Sequence, residues 1–134
     1  MKIIVVDDDA TNRLVVRFLM ELKGFAVVEA DGGAEATRVL AQESVDAVLM
    51  DIQMPVMDGY QATRMLRDNG LCPDVPVFAL TSRTTDEARQ MCMASGMNGF
   101  IPKPFEAGTA EVIRAIMEQQ AAQASQGAPG WLVG

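Results

Sequence analysis

The chain has 134 residues, 49% of them hydrophobic and 22% charged, with a formal net charge of -7 and no histidine. That length supports one domain with a single core, and 18 acidic against 11 basic residues argue against a nucleic-acid surface, which needs clustered positive charge. Without histidine there is no Ser-His-Asp triad, no histidine–metal site and no histidine acid or base, so any chemistry must run on carboxylates, hydroxyls, lysine or thiols.

The first element is the apolar run Ile3-Ile4-Val5-Val6, which stops at Asp7. A helical segment follows, with Leu14, Val15, Phe18, Leu19 and Leu22 assigned to the buried face, Arg13, Arg17 and Glu21 to the solvent face, and Gly24 as the stop. A second run, Ala26-Val27-Val28, precedes a helix marked by Ala36, Val39 and Leu40. The third, Ala47-Val48-Leu49-Met50, is stopped by Asp51 and followed by a helix carrying Ala62, Met65 and Leu66, closed by Asn69-Gly70. The fourth, Val77-Phe78-Ala79-Leu80, ends at Thr81, ahead of a helix over 86–95 that Gly96 stops. A weaker fifth run, Gly99-Phe100-Ile101, ends at Pro102 and leads to a helix marked by Val112, Ile113, Ile116 and Met117.

Unalternating apolar runs of about four residues suit strands buried on both faces of a parallel sheet. Five repeats of strand then helix therefore predict an open α/β sheet with helices on both faces. From Gln119 onward the chain carries no charge. Residues 1–120 are read as the domain and 121–134, with Trp131 and Leu132, as a flexible tail or linker. No output domain fits after Met117, so the sequence reads as a stand-alone domain or a piece of a larger protein. The apolar runs are far short of a membrane span, and Met1-Lys2-Ile3 lacks a signal-peptide layout, so a cytoplasmic location with no membrane contact is expected. Cys72 and Cys92 form neither a disulfide framework nor a CxxC motif and are read as reduced packing residues. The ten methionines are scattered and read as core filling.

In an open α/β sheet, ligands bind at the carboxyl ends of the strands. Those ends carry Asp7-Asp8-Asp9, Asp51, Thr81-Ser82 and Lys103. Each alone has a plain explanation: Asp9 or Thr11 as a helix cap, Asp58-Gly59 as a turn, Thr81 as a strand-end hydroxyl, Lys103 as a solvated side chain. Together they place carboxylates, a hydroxyl and a lysine on one edge. Gathered carboxylates repel unless they share a cation, and oxygen ligands without histidine or thiolate select a hard ion such as Mg²⁺. Carboxylate, Mg²⁺, lysine and hydroxyl make a phosphoryl-transfer site with a carboxylate nucleophile.

Val5-Val6-Asp7-Asp8-Asp9, then the run from Leu49 to Gly59 around Asp51, then Ala79-Leu80-Thr81-Ser82, then Phe100-Ile101-Pro102-Lys103-Pro104-Phe105, resemble the receiver domain of two-component response regulators. Thr11-Asn12-Arg13, Gln53 and Gly96-Met97-Asn98-Gly99-Phe100 are most similar to receivers of hybrid sensor histidine kinases. The resemblance implies a flavodoxin-like, doubly wound five-stranded parallel sheet in the order 2-1-3-4-5 with five helices. It implies that Asp51 takes a phosphoryl group from the phosphohistidine of a histidine kinase or histidine phosphotransfer protein, with a downstream protein effector as a further partner. Asp8, Asp51 and the carbonyl of Gln53 would bind Mg²⁺, and Asp7 would hold a metal-bound water. Lys103 would pair with the phosphoryl oxygens, Thr81 would turn onto the phosphate and Phe100 would swing inward, changing the surface of the fourth helix, fifth strand and fifth helix. Gln53 and Arg83 would flank the path of the hydrolytic water and influence the phosphate lifetime, with a solvated surface charge as the plain reading of Arg83. Such a domain is not an enzyme acting on other molecules; it catalyses its own phosphorylation and slow dephosphorylation. The resemblance also implies a cis peptide at Lys103-Pro104.

Two other readings fit parts of the chain. Asp7-Asp8-Asp9-Ala10-Thr11 matches the Asp-x-Asp-x-Thr start of haloacid-dehalogenase-like phosphatases, with Asp7 as nucleophile and Asp9 as general acid. Ala10 stands where those enzymes usually have glycine, no late acidic pair follows Lys103, and the Asp51 segment would go unexplained. The second is a receiver-like interaction module that is never phosphorylated, although such modules usually lack one of the acids or the lysine.

Overall fold

The structure is a computed structural model describing residues 1–71 and 74–125. Five strands alternate with five helices: β1 (Lys2–Val6), α1 (Ala10–Leu22), β2 (Ala26–Ala30), α2 (Gly33–Gln42), β3 (Ala47–Asp51), α3 (Gly59–Asp68), β4 (Val77–Thr81), α4 (Asp86–Ala94), β5 (Gly99–Pro102) and α5 (Ala107–Ser125). The strands form one parallel sheet in the order β2-β1-β3-β4-β5, as the resemblance implies.

The two-sided burial expected of the apolar runs explains the layers. In β1, Ile3 and Val5 join one core cluster with Val16 and Met20 of α1 and Ile113 and Met117 of α5. Ile4 and Val6 point the other way, into a cluster with Ala36 and Leu40 of α2, Leu66 of α3 and Cys92 of α4. Alternate side chains of one strand thus enter opposite cores, and positions 3–6 of β1 leave no place for a polar residue. The helices begin at side-chain caps: Asp9 accepts from the N–H of Thr11 and Asn12, Asp58 and Gln61 form a reciprocal capping box, and Thr85 accepts from the N–H of Ala88. After α1, α3 and α4 the chain turns at Gly24, Gly70 and Gly96, with φ of 90, 68 and 97°.

The first helix departs from the sequence reading. Leu14, Val15, Phe18 and Leu22, expected in the core, are 64%, 44%, 59% and 65% exposed, whereas Val16 and Met20 are buried. The helix carries two apolar stripes, and the sequence alone does not say which one meets the sheet. Arg13, expected on the solvent face, is instead turned toward β2, where its guanidinium pairs with Glu29. On α5, Val112 is also exposed, while Ile113 and Met117 are buried as expected.

The helix α5 continues to Ser125, so the expected boundary after residue 120 falls within it; residues 126–134, with Trp131 and Leu132, lie outside the described residues. Cys72 lies outside them too, whereas Cys92 is a free buried thiol whose ionisation burial pushes upward. Among the described residues no helix is long and apolar enough to cross a membrane.

Candidate functional site

The site forms where the winding reverses. From β1 the chain goes out to β2 on one side and then, through α2, to β3 on the other, which opens a crevice between the carboxyl ends of β1 and β3. Val6 registers with Met50, so the next residues, Asp7 and Asp51, lie side by side at that edge. Asp7 and Asp51 are 1% and 3% exposed, and Asp8 beside them faces solvent. One carboxylate oxygen from each of the three lies within 4.8 Å of the others.

The charges in this cluster are unevenly relieved. Burial is the main cause that lifts the Asp7 carboxyl above its ordinary range, opposed by a hydrogen bond from the Asp9 N–H, and raised further by the neighbouring Asp51. Asp51 has a direct counter-charge: Lys103 Nζ donates to its Oδ1 at 2.9 Å. Among the described residues, one lysine faces three carboxylates, which leaves the cluster short of positive charge. Three hard oxygen donors, two of them buried, fit Mg²⁺, which favours carboxylate and carbonyl oxygens.

The fourth and fifth strands complete the edge. Thr81 and Pro102 are in register, and the Lys103 N–H donates to the Thr81 carbonyl at 2.9 Å, so the lysine starts beside the threonine. Lys103-Pro104 is cis. The Thr81 hydroxyl is buried and accepts from the Arg83 N–H at 3.0 Å, turned into its own loop. Phe100 is half-buried and carries the Arg89 guanidinium of α4 over its ring, 4.8 Å from the centroid. Gln53 and the Arg83 side chain are exposed on the loops after β3 and β4.

Sequence reasoning passed over two residues. Asp58-Gly59 read as a turn, yet Gly59 packs directly on the strand that ends in Asp51: its N–H donates to the Ile52 carbonyl at 3.0 Å, and a Cβ on it would lie 2.4 Å from the Asp51 carbonyl oxygen. The Asp-Gly pair was the visible signal, but the contact is made across the loop rather than along it. Arg13 was the other, since a helical wheel cannot show that its Nη1 donates to the Asp7 carbonyl at 2.7 Å. Asp9, the general acid of the phosphatase reading, is engaged as the cap of α1.

The comparisons agree with this geometry. The response regulator receiver domain family matches residues 3–118. The CAI-1 autoinducer sensor kinase/phosphatase CqsS of Vibrio cholerae is 36% identical over 106 residues, covering 78% of this chain and 16% of that protein. Response regulator MprA of Mycobacterium avium is 36% identical over 105 residues, covering 78% of this chain and 45% of that protein. The chain thus spans less than half of either relative. The receiver domain of sensor histidine kinase PA1611 from Pseudomonas aeruginosa PAO1, solved with a magnesium ion in its active-site cleft, superposes with a TM-score of 0.75 at 32% identity, covering 88% of this chain and 94% of that one. With a doubly wound sheet, an acidic cleft at its switch point and a family match over most of its length, this chain belongs to the response regulator receiver domains of two-component signalling.

Proposed function

We propose that residues 1–120 form a phosphoacceptor domain, working in the cytoplasm, in which Asp51 takes a phosphoryl group from a phosphohistidine on a histidine kinase or phosphotransfer protein. A carboxylate oxygen of Asp51 attacks phosphorus, the P–N bond breaks, and its electron pair returns to the imidazole of the donor, which takes up a proton. A Mg²⁺ ion held by Asp8, Asp51 and the Gln53 carbonyl, with Asp7 on its water, would neutralise the phosphoryl oxygens. Lys103 moves from Asp51 to the new phosphoryl group, and the Thr81 hydroxyl leaves the Arg83 N–H it accepts from and donates to a phosphoryl oxygen. Phe100 then leaves the Arg89 guanidinium and turns inward, altering the α4, β5 and α5 surface that a downstream effector reads. Gln53 and Arg83 modulate the water that later hydrolyses the acyl phosphate, the slow dephosphorylation that the domain catalyses on itself.

The observation that carries this reading is a buried Asp51, held by Lys103 at 2.9 Å, with Asp7 and Asp8 beside it at the carboxyl edge of the sheet. Incubation with acetyl phosphate and Mg²⁺, followed by mapping of the modified residue by mass spectrometry, tests it. A single phosphate on Asp51, absent in Asp51→Asn, is expected. Label on Asp7 would support a phosphatase instead, and no uptake at all would leave a module that is never phosphorylated.

The donor is best matched by a helical surface. An open cavity of about 480 Å³ is lined by Asp7, Lys103, Val15, Pro104 and Phe105, among others, so α1 and the acidic cleft share one opening. The exposed Leu14, Phe18 and Leu22 continue from it along α1. An apolar stripe beside the acceptor suits a partner helix that carries the histidine. Phe18→Glu is expected to slow transfer from a phosphohistidine donor by about tenfold or more, as loss of an interface anchor does. Its uptake from acetyl phosphate should match wild type. Equal slowing with both donors would instead show damage to the acceptor site.

A further inference from the structure

The acidic cluster depends on the backbone at Asp7, which is gripped from both sides. Its N–H donates to the Ala30 carbonyl of β2 at 3.1 Å, and its carbonyl accepts from Arg13 Nη1 at 2.7 Å. Arg13 lies one turn into α1, and its Nε donates to Glu29 Oε1 at 3.0 Å. Arg17 Nη1 donates to Glu29 Oε2 at 2.8 Å. Glu29 sits on β2 opposite Val5, two residues before Asp7. Its carboxyl is held below the usual range, first by the Arg17 hydrogen bond and also by Arg13, against the opposing effect of burial. Arg13 and Glu29 side chains are only 18% and 28% exposed.

A single planar guanidinium therefore spans two partners, a carboxylate on β2 and the main chain of the acidic loop. A lysine has no such fork. Charge alone works against a cation site here, because a guanidinium beside it repels a divalent ion. Geometry works the other way: a hydrogen bond to the Asp7 carbonyl restrains the main chain that carries the Asp7 and Asp8 carboxylates.

We propose that Arg13, tethered by Glu29, is a positioning residue for the divalent-cation site, fixing the Asp7 carbonyl so that the Asp7 and Asp8 carboxylates stay converged on Asp51. This rests on reading the three aspartates as a Mg²⁺ site. Groups of this kind, one step out from the ligands, typically change metal affinity by about 10- to 100-fold when removed.

The two effects of Arg13 have opposite signs, which makes the inference testable by calorimetric titration of the full chain with MgCl₂ alone. Arg13→Ala is expected to raise the Mg²⁺ Kd about tenfold. Arg13→Lys keeps the repelling charge but loses the fork, and is expected to bind Mg²⁺ more weakly than wild type and no more tightly than Arg13→Ala. Arg17→Ala leaves both Arg13 contacts in place and should stay within about twofold of wild type, as for other exposed ion pairs. Melting in EDTA identifies any variant that fails to fold. If Arg13→Ala binds Mg²⁺ as tightly as wild type or more tightly, the guanidinium acts only as a charge and the inference falls. Should Arg13→Ala not fold, an unchanged Kd in Arg13→Lys has the same consequence. A wild-type chain that takes up no Mg²⁺ overturns the metal-site reading together with the inference, whereas normal wild-type binding with an unaffected Arg13→Ala removes the inference alone.

Discussion

Gly59→Ala is expected to be among the most damaging single-methyl additions in this protein. The new Cβ would sit 2.4 Å from the Asp51 carbonyl oxygen, 2.9 Å from Ile52 Cα and 3.1 Å from the Asp51 carbonyl carbon. All three are main-chain atoms, so no side chain can rotate to make room. Either α3 lifts from the sheet or the end of β3 moves, and Asp51 moves with it. Overpacking against backbone at this separation is expected to cost about 3 kcal/mol, which for a domain of this size lowers Tm by roughly 10 °C. Phosphoryl uptake should fall as well, because Asp51, the proposed acceptor, ends the displaced strand. Gly108→Ala is the control: nothing lies within 4 Å of its Cβ position in α5, and alanine is the better helix former, so stability should hold or rise slightly. Melting curves of the two variants decide the matter, and a Gly59→Ala Tm within experimental error of wild type would refute the close-packing account.

Asp7→Asn should separate stability from metal binding by moving them in opposite directions. Burial, chiefly, and the Asp51 charge, in part, raise the Asp7 carboxyl above its ordinary value. A carboxyl raised by folding contributes stability that is fully present below its unfolded value, about 3.9, and is lost as pH rises through the higher folded value. At neutral pH without metal, an ionised Asp7 therefore destabilises the protein. Asparagine keeps the Oδ1 acceptor that the Asp9 N–H uses, at 2.9 Å in the wild type, while removing the charge. In EDTA at pH 7, Asp7→Asn is expected to melt about 3–5 °C higher than wild type, the equivalent of roughly 1 kcal/mol. The gap should narrow as pH falls through the raised folded value and the wild-type carboxyl takes up its proton. If Asp7 holds a metal-bound water as proposed, Mg²⁺ affinity should drop by about 10- to 100-fold. Calorimetric melts over pH and a Mg²⁺ titration check both halves. A lower Tm for Asp7→Asn at pH 7 would contradict the account of a repulsive, cation-deficient cluster.

These two residues mark the border of what the chain discloses before it folds. Asp7 was legible as a candidate because an acid after an apolar strand is conspicuous and the strand-end rule says where it goes. That it is buried while Asp8 faces solvent was not legible. Successive residues after a strand point to opposite sides, and only the position of α1 and the loops above decides which side is closed. Gly59 looked like half of a turn because a glycine's packing partner is a distant main-chain atom that no local pattern encodes.

The first helix shows the same limit. Val16 and Met20 are spaced as regularly as Leu14, Phe18 and Leu22, so periodicity establishes a helix without choosing its rotation. The choice comes from tertiary anchors: the Asp9 cap fixes where the helix starts, and Arg13 reaches both Glu29 and the Asp7 carbonyl only from the side that turns Val16 and Met20 inward. The stripe left outside lies next to the acceptor cleft.

The sequence by itself determined the number, order and type of the elements, because strands buried on both faces must be uniformly apolar and the caps and glycines punctuate the helices within a few residues of where they act. It also determined which side chains gather at the carboxyl edge, since parallel strands all end there. Only the tertiary structure decided which of those charges are buried, which lysine oxygen contact relieves them, which face of α1 remains open and which arginine holds the acidic loop. Those outcomes depend on atoms from segments far apart in the chain meeting within about 3 Å, the range of a hydrogen bond, and a one-dimensional pattern carries no record of that meeting.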